Sequence, residues 1–178
     1  MAGSRRAWCT AWRDCTGHGD ISESVNERNA RVAAALAAAG IPSNIVILDA
    51  DAKTAAAAAA QLGCEVGAIA NSLVFDCDGE PLLVMASGAA RVNTEVLAAA
   101  LGATSIRKAD AALVRQATGQ VIGGVAPAGH PHPLRTIVDS TLAQYPVVWT
   151  AAGTADSVMP LTYPQLLGLT AGREAQVR

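Results

Sequence analysis

The chain has 178 residues, a mass of 18.0 kDa and a formal charge of −2, which sizes it for one domain with a substantial core. Hydrophobic residues make up 51% of it and aromatics only 3%, so the core must be aliphatic, built of Val, Ile, Leu and Ala. The near-neutral charge excludes a basic-arm binder of DNA or other polyanions, and the longest apolar-looking run, Ala55 to Ala60, is too short to span a bilayer.

Residues 1–24 carry arginines and tryptophans but no apolar stretch of the kind a secretory signal needs, and are expected to form a flexible leader or a docking arm, or to reflect a start assigned too far upstream. Four cysteines, Cys9, Cys15, Cys64 and Cys77, show no paired Cys-x-x-Cys spacing, which favours reduced thiols and a cytoplasmic location. Cys9, Cys15 and His18 together fall one ligand short of a metal site, so unrelated residues are the better reading and no metal is expected.

The first patterned element starts near Asn26, where Val32, Ala35, Leu36 and Ala39 recur at helical spacing before Gly40 and Pro42. Ile45 to Leu48 reads as a buried strand. Asp51 or Thr54 caps an alanine-rich helix that Gly63 closes. Ser72 to Phe75 and Leu82 to Met85 flank the turn-forming run Asp76 to Pro81 and read as a hairpin. A helix follows from Asn93 to Leu101, then a short strand Thr104 to Arg107 and a short helix Asp110 to Gln116. Leu134 to Val138, Val147 to Thr150 and Ser157 to Leu161 are strand candidates, Tyr163 to Leu167 a helical turn, and residues 170–178 a polar tail. Interleaved helices and strands with a central hairpin predict a single α+β domain, residues 25–169, with a curved mixed β-sheet flanked by helices.

The stretch from Thr118 to Gly129 holds four glycines and a proline, with no Lys, Asp or Glu. It offers main chain in place of reactive side chains: glycines permit close approach to N–H groups, and a turn of such groups can receive a phosphate or a developing oxyanion. It lacks the Lys-Ser/Thr pair of a nucleotide phosphate loop. A plain glycine-rich turn between strands is the competing reading.

A set of motifs runs in a distinctive order. Thr54…Gln61-Leu62-Gly63 is followed by Ile69-Ala70-Asn71-Ser72-Leu73-Val74-Phe75, Gly79-Glu80-Pro81, Gly88…Arg91-Val92-Asn93, Leu101-Gly102, Thr118-Gly119, Gly123-Gly124-Val125-Ala126-Pro127-Ala128-Gly129 and Thr136-Ile137-Val138-Asp139. Over residues 26–168 the series resembles the YbaK / prolyl-tRNA-synthetase-associated editing-domain family. The resemblance implies one α+β domain and hydrolysis in trans of mischarged aminoacyl-tRNA, typically alanyl- or cysteinyl-tRNA for proline, without metal or redox cofactor. It implies the aminoacylated 3′ end of tRNA as a local, weak partner, and prolyl-tRNA synthetase as a second candidate partner. Two positions depart from the family pattern. Asn71 stands where members with established editing have lysine, and Ala126 where free-standing bacterial members often have a hydroxyl.

On this reading Gly123, Gly124 and Val125 supply oxyanion donors. Asp139 holds the substrate's α-ammonium or the water, against an alternative role as a helix N-cap. Asn71, Gly119, Ala126, Pro127 and Gly129 line the substrate site. His130 and His132, flanked by prolines, read as a stiff turn, Cys64 and Cys77 as small buried hydrophobes, and Arg107, Lys108 and Arg115 as solvated charge or phosphate contacts. The alternative function is a family member that binds an aminoacyl group or a synthetase without hydrolysis. A small-molecule hydrolase is a third class, disfavoured by the absence of a Gly-x-Ser-x-Gly elbow.

Overall fold

The computed structural model describes residues 27–49, 52 and 54–178. The expected leader, the Cys9–Cys15–His18 cluster and the Asp51 cap lie outside them. Chain order is α1 (Glu27–Ala38), β1 (Val46–Ile47), α2 (Ala55–Leu62), a 3-10 turn (Val66–Ala68), β2 (Ile69–Cys77), β3 (Glu80–Ser87), α3 (Thr94–Leu101), β4 (Ile106–Lys108) and α4 (Ala111–Thr118). β5 (Arg135–Asp139), a 3-10 turn (Ser140–Gln144), β6 (Val148–Ala151), β7 (Ser157–Leu161), α5 (Tyr163–Thr170) and β8 (Arg173–Ala175) complete it.

The strands form one mixed sheet in the order β1-β7-β6-β2-β3-β5-β8, with β4 also paired to β2. The β2–β3 hairpin is its centre. Asp78 and Gly79 turn the chain with φ of 53° and 93°, the left-handed pair that a two-residue hairpin with right-twisted strands requires. Asp78 keeps that conformation because its carboxylate accepts from the Thr104 and Ser105 amides at 2.9 and 2.7 Å. Alternation along β3 then divides the core: Leu83 and Met85 join Val32, Leu36, Val125 and Leu142 on one face, while Leu82, Val84 and Ala86 join Leu97, Phe75 and Ile137 on the other.

Local chemistry sets the helix ends. Thr54, Asn93 and Asp110 each accept an N–H of the first turn, and Thr162 forms a reciprocal capping box with Gln165. No helix among the described residues is long and apolar enough to cross a membrane.

Two segments differ from expectation. Ile45 to Leu48, expected as a buried strand, shortens to Val46–Ile47, an edge strand paired only to β7 with both residues exposed. Apolarity read as burial fails there because β1 ends the sheet and one side has no neighbour. Residues 170–178, expected as a polar tail, contribute β8, which pairs parallel to β5. Val177 is fully buried beside Leu97, and its carbonyl accepts from Asn93 N–H at 2.7 Å. Polar composition hid the segment's one buried apolar anchor, Val177, and the main-chain pairing of β8 with β5.

Candidate active site

The central strand β2 is paired along its whole length to β3, but its other edge is shared. β6 covers Ile69 and Ala70, and β4 covers Phe75 to Cys77. Between them the edge from Asn71 to Leu73 has no strand partner. Main-chain groups alternate between the two edges of a strand. The Val74 carbonyl accepts from Ala109 N–H at 3.1 Å on the β4 side, so the N–H and C=O of Ser72 turn to that same edge, into the gap.

A cavity of about 360 Å³ occupies this gap. It reaches both faces of the sheet: Ala70, Val74, Val114 and Val125 belong to one apolar cluster, and Leu48, Ala58, Ile69 and Val158 to another. Asn71, Ser72, Thr150 and Gly123 bring polar or main-chain groups to its wall. Lys108 is the one charged side chain among its described lining residues. Asn71 is half-buried and Lys108 exposed, which puts both toward the solvent side, whereas Thr150 is 1% exposed and belongs to the interior.

The glycine loop closes the cavity from across the gap, and a side chain holds the loop in shape. Buried Gln120 accepts from Ala126 N–H at 2.6 Å through Oε1 and donates through Nε2 to the Ala128 carbonyl at 3.2 Å. It thereby replaces the strand ladder that this segment does not have. The loop seats on the 152–157 turn, where Ser157 Oγ meets Asn29 Nδ2 at 2.9 Å and Thr154 N–H at 3.1 Å.

Asn71, Gly123 and Val125 therefore meet in one cavity; the remaining expected site residues lie elsewhere. Gly124 N–H donates to the Val121 carbonyl at 2.9 Å and is spent inside the turn. No acceptor is assigned to the Gly123 or Val125 amide among the described residues. Asp139 is fully buried, does not line the cavity, and accepts from Thr141 N–H at 3.0 Å and Ser87 N–H at 3.2 Å. It caps the 3-10 turn and ties β5 to the end of β3. Gly119 is the left-handed C-cap of α4, with φ of 68°. Ala126 is buried, its N–H held by Gln120 and its carbonyl by His130 Nε2–H at 2.9 Å. Pro127 and Gly129 line a second hollow of about 520 Å³, with His130 to Pro133. Burial lowers the His130 pKa, and the Ala126 carbonyl opposes that shift.

Sequence reasoning assigned no role to Gln120 or Thr150 and left Lys108 between solvated charge and a phosphate contact. Gln120 had a usable signal, being a lone amide in a run of small residues. Thr150 had none, since a threonine in a strand is ordinary and only its tertiary surroundings distinguish it.

An apolar chamber with main-chain donors, an amide and one rim cation, and no acid or base among its described walls, is suited to an acyl compound bearing an anion nearby. Comparisons with known proteins point the same way. Residues 49–169 match the aminoacyl-tRNA editing domain. A solved structure described as a candidate trans-editing enzyme for prolyl tRNA synthetase superposes with a TM-score of 0.81 at 36% identity, covering 87% of this chain and 99% of that one. The uncharacterised protein YwhH of Bacillus subtilis (strain 168) is 31% identical over 110 residues, 61% of this chain and 69% of its own. Proline--tRNA ligase of Lysinibacillus sphaericus (strain C3-41) is 33% identical over 92 residues, which span 52% of this chain but only 16% of the ligase. With a match across most of the described fold, the chain belongs to the aminoacyl-tRNA editing domain family, the YbaK family that its ordered motifs resemble.

Proposed function

We propose that the protein hydrolyses mischarged aminoacyl-tRNA in trans, acting in the cytoplasm on tRNA for proline that carries a small wrong amino acid. The observation that carries this reading is the meeting of Asn71, Gly123 and Val125 at one cavity over an unpaired stretch of β2.

In the proposed reaction, water attacks the ester carbonyl and the oxygen gains negative charge. The amides of Gly123 and Val125 receive that oxyanion, since Gly124 N–H is occupied. One such donor is commonly worth about 3 kcal/mol to the barrier. Collapse returns the electron pair to the carbonyl, expels the ribose hydroxyl with a proton, and leaves a free amino acid. The Asn71 amide orients the ester or the water, and Lys108 meets a phosphate of the tRNA end. The Ser72 main chain, turned into the gap, is placed to hold the aminoacyl group as a neighbouring strand would be held. Asp139 has no part in this chemistry; its carboxylate oxygens serve as a cap.

The test is incubation with alanyl-, cysteinyl- and seryl-tRNA for proline. Release of amino acid above the buffer rate from any of them supports the reading, and none from all three rejects it. A second reading, binding without hydrolysis, is favoured by one feature: Asn71 brings no charge where editing relatives carry lysine. Asn71→Lys separates the two. Hydrolysis confined to that variant identifies the natural protein as a binder, and hydrolysis by both identifies it as an enzyme.

A further inference from the structure

Thr150 sits on β6 directly across from Ala70, the last β2 residue that β6 covers before the gap opens. Alternation turns its side chain to the face of Ala70 and Met159, its partners on β2 and β7, and away from Trp149. It lines the cavity. Its Oγ1 is buried and has no hydrogen-bond partner among the described residues.

The other hydroxyls of the wall are occupied. Ser157 Oγ is engaged by Asn29 and Thr154, Thr54 Oγ1 accepts from Ala57 N–H, and Ser72 Oγ donates to Met85 Sδ at 3.3 Å. An orphaned hydroxyl in a wall is costly to a fold unless something bound in the chamber meets it. Its register partners Ala70 and Met159 are apolar, and the described residues give Oγ1 no partner.

We propose that Thr150 reads the side chain of the bound aminoacyl group and selects one carrying a hydroxyl, of which serine is the smallest. This rests on the deacylase reading and adds to it the substrate side chain. With the ester held between Asn71 and the Gly123 and Val125 amides, the side chain points to the interior end, where Thr150 can donate to or accept from a hydroxyl. Alanine has the same carbon frame and lacks only that oxygen, so it leaves Thr150 unpaired. A paired hydroxyl adds its own contribution to whatever discrimination cavity volume gives.

The experiment compares kcat/KM for seryl- and alanyl-tRNA of the same tRNA, in the natural protein, Thr150→Val and Thr150→Ser. The natural protein is expected to favour seryl-tRNA about tenfold. The seryl-to-alanyl ratio should fall about tenfold in Thr150→Val and survive in Thr150→Ser. Valine matches threonine in shape and removes an unpaired hydroxyl, so its melting temperature should not fall below that of the natural protein. An unchanged ratio in Thr150→Val, the result expected if Oγ1 meets only a trapped water, overturns the proposal while leaving the deacylase reading intact. If neither tRNA is hydrolysed, the deacylase reading fails by itself. Equilibrium binding of the non-hydrolysable seryl and alanyl amides of 3′-amino-adenosine then decides the role of Thr150. A seryl preference lost in Thr150→Val upholds it, and equal affinities overturn it.

Discussion

Gly124 and Thr154 touch through their main chains: a Cβ built on Gly124 would stand 2.6 Å from the Thr154 carbonyl carbon and 2.8 Å from its Cα. The contact seats the glycine loop on the 152–157 turn and fixes how far Gly123 and Val125 reach across the gap. Because the obstructing atoms are backbone, Gly124→Ala must displace one loop from the other. A loss of about 1–3 kcal/mol in stability is expected, with a disproportionate fall in kcat at temperatures where the variant is fully folded. Thermal melting and single-turnover hydrolysis check both parts.

Gln120→Ala removes the strut of the same loop. It strands the Ala126 N–H and Ala128 carbonyl, both in buried residues. At about 1–3 kcal/mol for each unsatisfied group, urea unfolding should show a loss of about 2–5 kcal/mol, larger than that of Gly124→Ala.

Asp139→Asn separates a cap from a catalytic acid. The carboxylate accepts from two amides, and an amide side chain would set an NH₂ against one of them. Stability should fall by about 1–3 kcal/mol, while kcat measured well below the melting temperature changes little. A drop in kcat of a thousandfold with unchanged stability would restore Asp139 to the chemistry.

His130 gives the fold an acid limit. Burial holds its pKa below the ordinary 6.5, and Nε2–H donates to the Ala126 carbonyl. The unfolded chain therefore takes up a proton first as pH falls below about 6.5, and stability declines from there until the folded pKa is reached. Above 6.5 the contribution is complete. His130→Gln should lose that part of the acid slope, read as the melting temperature between pH 7.5 and 5.

Lys108→Ala tests contact with the tRNA end. KM should rise several-fold on full-length aminoacyl-tRNA, with the salt dependence reduced. The substitution should matter little on an aminoacyl-adenosine ester that lacks the phosphate.

Much of the fold was legible because local chemistry declared it. Thr54, Asn93 and Asp110 mark helix starts with acceptor side chains, Asp78-Gly79 permits one kind of turn, and Ser157 to Leu161 forms β7 with the bounds expected of it. Val46–Ile47 and Arg173–Ala175 were read less well because their burial depends on neighbours distant in sequence. The site follows the same division. Glycines at 123 and 124 announced a main-chain feature, but which amide is free depends on the Val121 carbonyl. The gap in β2 is a consequence of β4 and β6 ending short of each other, which no local pattern records.

The most direct measurement is a crystal structure of the protein with a non-hydrolysable aminoacyl amide of 3′-amino-adenosine. The aminoacyl group is expected in the gap of β2, its carbonyl oxygen within hydrogen-bond distance of the Gly123 or Val125 amide and its adenosine toward Lys108. A ligand bound instead in the hollow lined by Pro127, Gly129 and His130, with the gap empty, would contradict the account.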